Sequence, residues 1–217
     1  MIGYFITGTD TNVGKTYVTC ALARRARVHG RKVFAFKPIE TGCVRGADGD
    51  YVGADQELLV EAAGAWQQGP LRGLYRLPLA AAPLVAADAA DTAIDLQHLV
   101  QSVRAAVDDH RPDLTLVEGA GGWRVPITST ADMAALAQQL AWPVVLVARA
   151  ALGTINHTLL SLEAVERDGL TVAAVVMSRR PADDVDATAS NRAEILRRWP
   201  GRVLVLSETA AALDPLL

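Results

Sequence analysis

YFITGTDTNVGKT, residues 4–16, decides the fold. A short apolar run enters a polar loop that closes on Gly-Lys-Thr, and a helical pattern follows. In a strand–loop–helix setting, glycines let backbone N–H groups turn inward around phosphate oxygens. The helix N-terminus adds favourable dipole charge. Lys15 can then reach the β- and γ-phosphates of a nucleoside triphosphate, and the Thr16 hydroxyl can ligate magnesium. The common loop holds four residues between its first glycine and the Gly-Lys-Thr. Here five intervene: Thr9, Asp10, Thr11, Asn12 and Val13. Most are short and polar, so the longer loop can set a side chain beside the γ-phosphate, where a second substrate would sit.

Outward from this loop the chain alternates apolar runs with helical patterns. Strands are expected at residues 4–7, 32–37, 114–118, 144–148, 171–177 and 203–206. Each is nearly continuously apolar, as strands covered on both faces of a parallel sheet are. Helices are expected at 14–29, 54–63, 95–109, 131–140, 154–168 and 189–198, the first ending at Gly30. This order predicts a doubly wound α/β fold. It has a mostly parallel sheet, helices on both faces and the phosphate-loop NTPase type, in one domain over 1–217. Residues 64–93 contain Pro70, Pro78 and Pro83 and are expected to be irregular surface structure.

The 217 residues are 51% hydrophobic with a net charge of −3, which excludes a disordered chain and argues against nucleic-acid or anionic-membrane partners. Cys20 and Cys43 do not make a disulfide framework and are expected to be reduced thiols. No run is long and apolar enough to span a membrane, and the first residues do not resemble a signal peptide. A cytoplasmic location is the expectation.

Cations are nearly all arginine. Lys15, Lys32 and Lys37 are the three lysines beside eighteen arginines. A lysine kept in such a chain marks a place where a compact ammonium serves and a guanidinium fork does not. Lys37 ends the second strand before Pro38, on the same sheet edge as Lys15, so the two can neutralise a γ-phosphate and a second anion together. As a sheet-edge residue it is expected to add little to the core. Thr41 and Gly42 follow and could supply a hydroxyl and a backbone N–H.

Glu118 closes the apolar strand of DLTLVEGAGG, where a magnesium–triphosphate site needs a carboxylate. Gly119, Gly121 and Gly122 after it permit close approach of a substrate. Asp48 and Asp50 are read as solvated loop acids. Asp55 opens a helix, where either dipole complement or metal ligand is possible. His29, His98, His110 and His157 are scattered and form no metal cluster.

GTDTNVGKT, KPIETG, VEGAGGW and LGTINHTLL, in this order and spacing, resemble the dethiobiotin synthetase family, and the resemblance covers residues 4–177. The five-residue gap in the loop is normal for that family. The resemblance implies a ligase that closes 7,8-diaminopelargonic acid with CO2 into a cyclic urea at the expense of ATP or another nucleoside triphosphate. The path runs through a carbamate and a carbamic–phosphoric anhydride, with Mg2+ as cofactor. Lys15 and Lys37 would be catalytic, and Thr16, Asp55 and Glu118 would hold magnesium. Asp55 is matched through GADQELL, more loosely than the rest. Thr11, Asn12, Val13, Gly14, Lys15, Thr16, Tyr17, Glu118 and Ser178 would meet the nucleotide. Thr11, Lys37, Thr41 and Gly121 would meet the substrate. Gly153, Thr154, Ile155 and Asn156 would bind its carboxylate across a homodimer interface, at a helix N-terminus suited to anions.

Two departures bear on the base. Ser178 stands where related enzymes often place an asparagine against adenine, and VLVLSETAAAL replaces the Gly-Glu-x-Pro segment that closes over it. One hydroxyl cannot match the paired donor and acceptor of an amide, so weak discrimination among nucleoside triphosphates is expected. Two other resemblances are weaker. Amide-forming cobyrinic acid diamide synthases carry a glutaminase segment that 217 residues do not accommodate. Switch ATPases of the ParA/MinD kind carry a second lysine in the loop, which residues 9–13 lack.

Overall fold

The computed structural model describes residues 2–47, 49–207 and 209–217. Asp48, read above as a solvated acid, lies outside them. The strands are β1 (Ile2–Gly8), β2 (Val33–Phe36), β3 (Ile39–Thr41), β4 (Val44–Arg45), β5 (Tyr51–Val52), β6 (Tyr75–Leu77), β7 (Leu114–Gly122), β8 (Val144–Arg149), β9 (Val172–Ser178) and β10 (Val203–Leu206). The helices are α1 (Lys15–Val28), α2 (Ala54–Ala62), α3 (Pro83–Ala89), α4 (Leu96–His110), α5 (Met133–Leu140), α6 (Thr154–Arg167) and α7 (Val185–Arg198). Six strands form one parallel sheet in the order β10-β9-β8-β1-β7-β2, so β1, the strand of the phosphate loop, lies inside it. β3 pairs with β6 and β4 with β5 outside that sheet.

The apolar runs read as strands because both faces are covered. Along β1, Phe5 packs into one core with Leu99 and Val103 of α4 and Leu136 of α5. The next residue, Ile6, enters the opposite core with Val18 and Leu22 of α1 and Leu59 of α2. In β2, Phe34 and Phe36 face the first core while Val33 and Ala35 face the second, as the two-residue strand period requires. Each such aromatic, fully removed from water, contributes about 1.5–3 kcal/mol. Gly30, at φ 74°, ends α1 as expected.

Residues 64–93 differ from expectation. They hold a 3-10 turn (Gly69–Arg72), β6 and α3, and Leu77, Pro83, Ala86 and Ala87 are buried. Pro83 does not interrupt a helix. It begins one, where its missing N–H costs nothing and its fixed φ suits the first turn. α7 begins four residues before its expected start, because the Asp184 side chain accepts Ala187 N–H and caps an exposed turn with no apolar signal. Cys20 and Cys43 are free and buried, and burial pushes their thiols up, to about 12 and about 11. Among the described residues no helix is long and apolar enough to cross a membrane.

Candidate active site

The loop between β1 and α1 forms one wall of a cleft of about 1030 Å3 at the carboxyl end of the sheet. Thr11, Asn12, Gly14, Lys15, Thr16 and Tyr17 line it, whereas Val13 turns under the loop and is buried. The additional residue is absorbed by bonds within the loop. Asp10 Oδ1 accepts Thr11 N–H at 2.6 Å, and Asp10 O accepts Lys15 Nζ at 3.0 Å. Asn12 is left-handed at φ 59°, and its carbonyl accepts Arg180 Nη2 at 3.1 Å. Gly14, at φ 99°, starts α1, and a Cβ there would overlap the Ser178 side chain. Ser178 is thus packed beneath the loop. Tyr17 is half exposed and donates to Ser207 O at 2.8 Å.

Glu118 is the centre of the site. It is fully buried at the end of the apolar part of β7, opposite Ile6 in β1. Its Oε1 accepts the Thr16 hydroxyl at 2.7 Å and its Oε2 accepts the Thr19 hydroxyl at 2.8 Å. Lys37 Nζ lies 3.2 Å from Glu118 Oε1 and also pairs with Asp55 Oδ2. β2 ends at Phe36, and Lys37 turns inward from the residue after it. Lys37, expected as a sheet-edge residue to add little to the core, is buried and balances a carboxylate that has no access to water. Burial opposes its charge, but Glu118 and Asp55 outweigh burial and hold Lys37 above the usual lysine range.

Lys15 has the opposite balance. Burial, aided by the ammonium of Lys37 and opposed by Glu118, lowers it to about 8. Its charge is therefore about half lost at pH 8, fuller below that value and disappearing as pH rises above it. A bound triphosphate favours the ammonium and draws a proton back. Nucleotide affinity without metal is expected to fall between about pH 7 and 9, with proton uptake on binding. Titration calorimetry in buffers of different ionisation enthalpy measures both, and affinity flat across this range contradicts the expectation.

Thr41, Gly42, Ala120, Gly121 and Val125 complete much of the far wall. The Gly42 N–H, expected to face a ligand, is taken by Leu79 O at 3.2 Å. Gly121, at φ 67°, lets β7 turn close over Val125, whose side chain a Cβ there would overlap. Trp123 anchors this turn by donating Nε1 to Asp168 Oδ2 at 2.7 Å. Gly153, Thr154, Ile155 and Asn156 do not line the cleft of their own chain. They form the start of α6, where Thr154 N–H is taken by Ala151 O at 3.1 Å.

Thr16, Asp55 and Glu118 meet around Lys37, the last two already paired with its cationic nitrogen. One hydroxyl and two carboxylates are hard oxygen donors of the kind Mg2+ prefers. Among the described residues no group of three His, Cys, Asp or Glu side chains could hold a metal.

The chain is 43% identical over 199 residues to the ATP-dependent dethiobiotin synthetase BioD of Anaeromyxobacter dehalogenans strain 2CP-C, covering 91% of this chain and 85% of that one. It is 40% identical over 220 residues to the protein of that name from Pseudomonas aeruginosa strain UCBPP-PA14, covering 98% and 93%. The chain belongs to the dethiobiotin synthetase family. It is an enzyme of the ligase class. The family model described as an AAA domain matches residues 3–208. Among solved structures it is similar to the MinC:MinD cell division complex of Aquifex aeolicus, at TM-score 0.60 and 13% identity, over 100% of this chain and 85% of that chain. It is also similar to chloroplast FtsY of Physcomitrella patens, at TM-score 0.55 and 18% identity, over 100% and 65%. These two likenesses concern the fold.

Gly-Lys-Thr and Lys37 thus meet at one cleft, with Glu118 buried behind them. Sequence reasoning missed Thr19, Glu40, Gln56, Arg149 and Arg180. Thr19 was within reach, because it lies three residues beyond Thr16 on the same helix face. Arg149, at the end of β8, and Arg180 line the cleft.

Proposed function

We propose that this chain is a dethiobiotin synthetase. It joins 7,8-diaminopelargonic acid and CO2 into the cyclic urea of dethiobiotin, consuming a nucleoside triphosphate and releasing the diphosphate and phosphate. The observation that carries this is the pair of buried lysines: Lys37 fixed between Glu118 and Asp55, and Lys15 beside it on the phosphate loop. Two cations in one cleft suit a reaction that brings two anions together.

One amine of the substrate adds to CO2 and loses a proton, giving a carbamate. A carbamate oxygen attacks the γ-phosphorus and the diphosphate leaves. The second amine then attacks the carbamoyl carbon, phosphate departs and the ring closes. Lys15 and Lys37 screen the repulsion between carbamate and γ-phosphate and stabilise charge as it shifts in the transfer. Lys37 arrives charged and oriented, so little reorganisation is needed at the moment of reaction. Thr11 and Thr41 on opposite walls donate hydroxyls toward the carbamate and phosphoryl oxygens. Thr16, Asp55 and Glu118 would hold Mg2+, which supplies charge neutralisation of the β- and γ-phosphates.

The carboxylate of the substrate would be held by the α6 N-terminus of a second copy, in a cytoplasmic homodimer of single-domain chains. Leu152, fully exposed just before that turn, and Leu160, more than half exposed on α6, give this face an apolar surface for a partner. Ser178, packed against Gly14, offers no amide to the base, so affinities for ATP, CTP and GTP are expected to lie within about tenfold of one another. Side-by-side titrations measure this, and a strong preference for ATP contradicts it.

The reaction predicts strict coupling. Phosphate release should require the diamine and bicarbonate together, at one phosphate per turnover. Release that ignores either substrate would reject the proposal and favour a switch ATPase.

A further inference from the structure

Helix α2 presents Asp55 to Lys37, yet the residue that opens the helix cannot cap it. Gly53 has no side chain, and the first-turn amides of a helix need acceptors from outside it. Those acceptors come from another element. Glu40, in β3, lies fifteen residues before Asp55 in sequence, and its carboxylate spans the helix start. Oε1 accepts Asp55 N–H at 2.9 Å and Oε2 accepts Gln56 N–H at 2.8 Å. These amides are the second and third of the helix, the pair that an N-cap side chain serves, and a buried carboxylate there also complements the dipole. A second tie closes the arrangement. Gln56 is fully buried, donates Nε2 to Lys37 O at 2.9 Å and accepts Arg76 Nε at 2.7 Å.

We propose that Glu40 is a positioning residue: by bracketing the amides of Asp55 and Gln56, it sets the Asp55 carboxylate against Lys37 and Glu118. It thereby controls the cation site of the cleft. Glu40 lines neither the cleft nor the phosphate loop and acts through Asp55. The backbone at Gly53 is part of the device. Its φ of −92° and ψ of 112° suit any residue, but a Cβ there would overlap Glu40 Oε2 and lie 2.8 Å from Gln56 Oε1. Glycine at 53 thus leaves room for the carboxylate and does not serve backbone freedom.

This rests on the magnesium–nucleotide reading of the cleft, and the test separates the two. A fluorescent ATP analogue is titrated into the full-length chain in EDTA and again across a magnesium series. Glu40→Ala should leave affinity in EDTA unchanged, because the phosphate loop is intact. It should raise the magnesium concentration giving half-maximal tightening by roughly 10-fold or more, as loss of a residue supporting a metal ligand does. Gly53→Ala should reproduce that shift by displacing the carboxylate, and it decides the matter alone if Glu40→Ala does not fold. In the double variant the clash with the carboxylate is gone and only the approach to Gln56 Oε1 remains, so its magnesium midpoint should lie close to that of Glu40→Ala. Lowered melting temperature with an unchanged magnesium midpoint in both single variants would overturn the proposal and leave Glu40 a plain helix cap. No response to magnesium in the unsubstituted chain would overturn it together with the reading beneath it.

Discussion

Lys37→Ala is expected to lower turnover at saturating substrates by a factor on the order of 100 or more. The ammonium it removes sits 3.2 Å from Glu118 Oε1 and pairs with Asp55, facing the cleft where the proposed reaction brings two anions together. The loss should appear in turnover more than in nucleotide affinity, because the phosphate loop and Lys15 remain. The substitution also leaves the buried Glu118 with hydroxyl partners alone, so some stability goes with it. Lys37→Arg separates these effects. It keeps the charge and the fold but replaces a compact ammonium with a broad planar fork in the space between two carboxylates. Turnover should stay low although the melting temperature recovers. Near-normal turnover in Lys37→Ala would remove Lys37 from the chemistry.

Glu118→Ala is expected to be the most destabilising single change in the site, by about 3 kcal/mol. The cost is an ammonium left buried beside Asp55, with the Thr16 hydroxyl deprived of its acceptor and the Thr19 hydroxyl left with Lys15 O alone. For a chain of this length that corresponds to a fall in melting temperature on the order of 10 °C. Glu118→Gln preserves the shape of the side chain and removes its charge. It should remain folded and lose the magnesium-dependent part of nucleotide binding. Thermal melts of the two variants and magnesium titrations of the second measure these outcomes. A Glu118→Ala protein as stable as the parent would show that the buried pair is dispensable.

The sheet and the heart of the cleft were legible in the sequence for one physical reason. Strands covered on both faces must be apolar throughout, so the residues that break them at the carboxyl edge stand out. Lys37 and Glu118 each interrupt or follow such a run, and the phosphate loop follows another. What was not legible depends on pairing between distant segments. Nothing near Glu40 announces that it caps a helix fifteen residues on, since the signal of a cap is local and here the local residue is glycine. The same applies to α3 and β6. Their weak propensities are overridden by packing of Leu77 and Ala86 into the core and by pairing of β6 with β3. That Lys37 would also balance a buried charge was not legible, because its partner, Glu118, lies on a different strand.

The central claim is ring closure, and incorporation of labelled bicarbonate tests it most directly. A free carbamate loses its CO2 in acid, whereas a cyclic urea does not. The chain is mixed with magnesium, 7,8-diaminopelargonate and labelled bicarbonate, with ATP, CTP or GTP in parallel, and quenched in acid. The account predicts acid-stable label that requires both diamine and nucleotide, in amounts matching the phosphate released. Nucleotide hydrolysis indifferent to the diamine, with no acid-stable label, would contradict it.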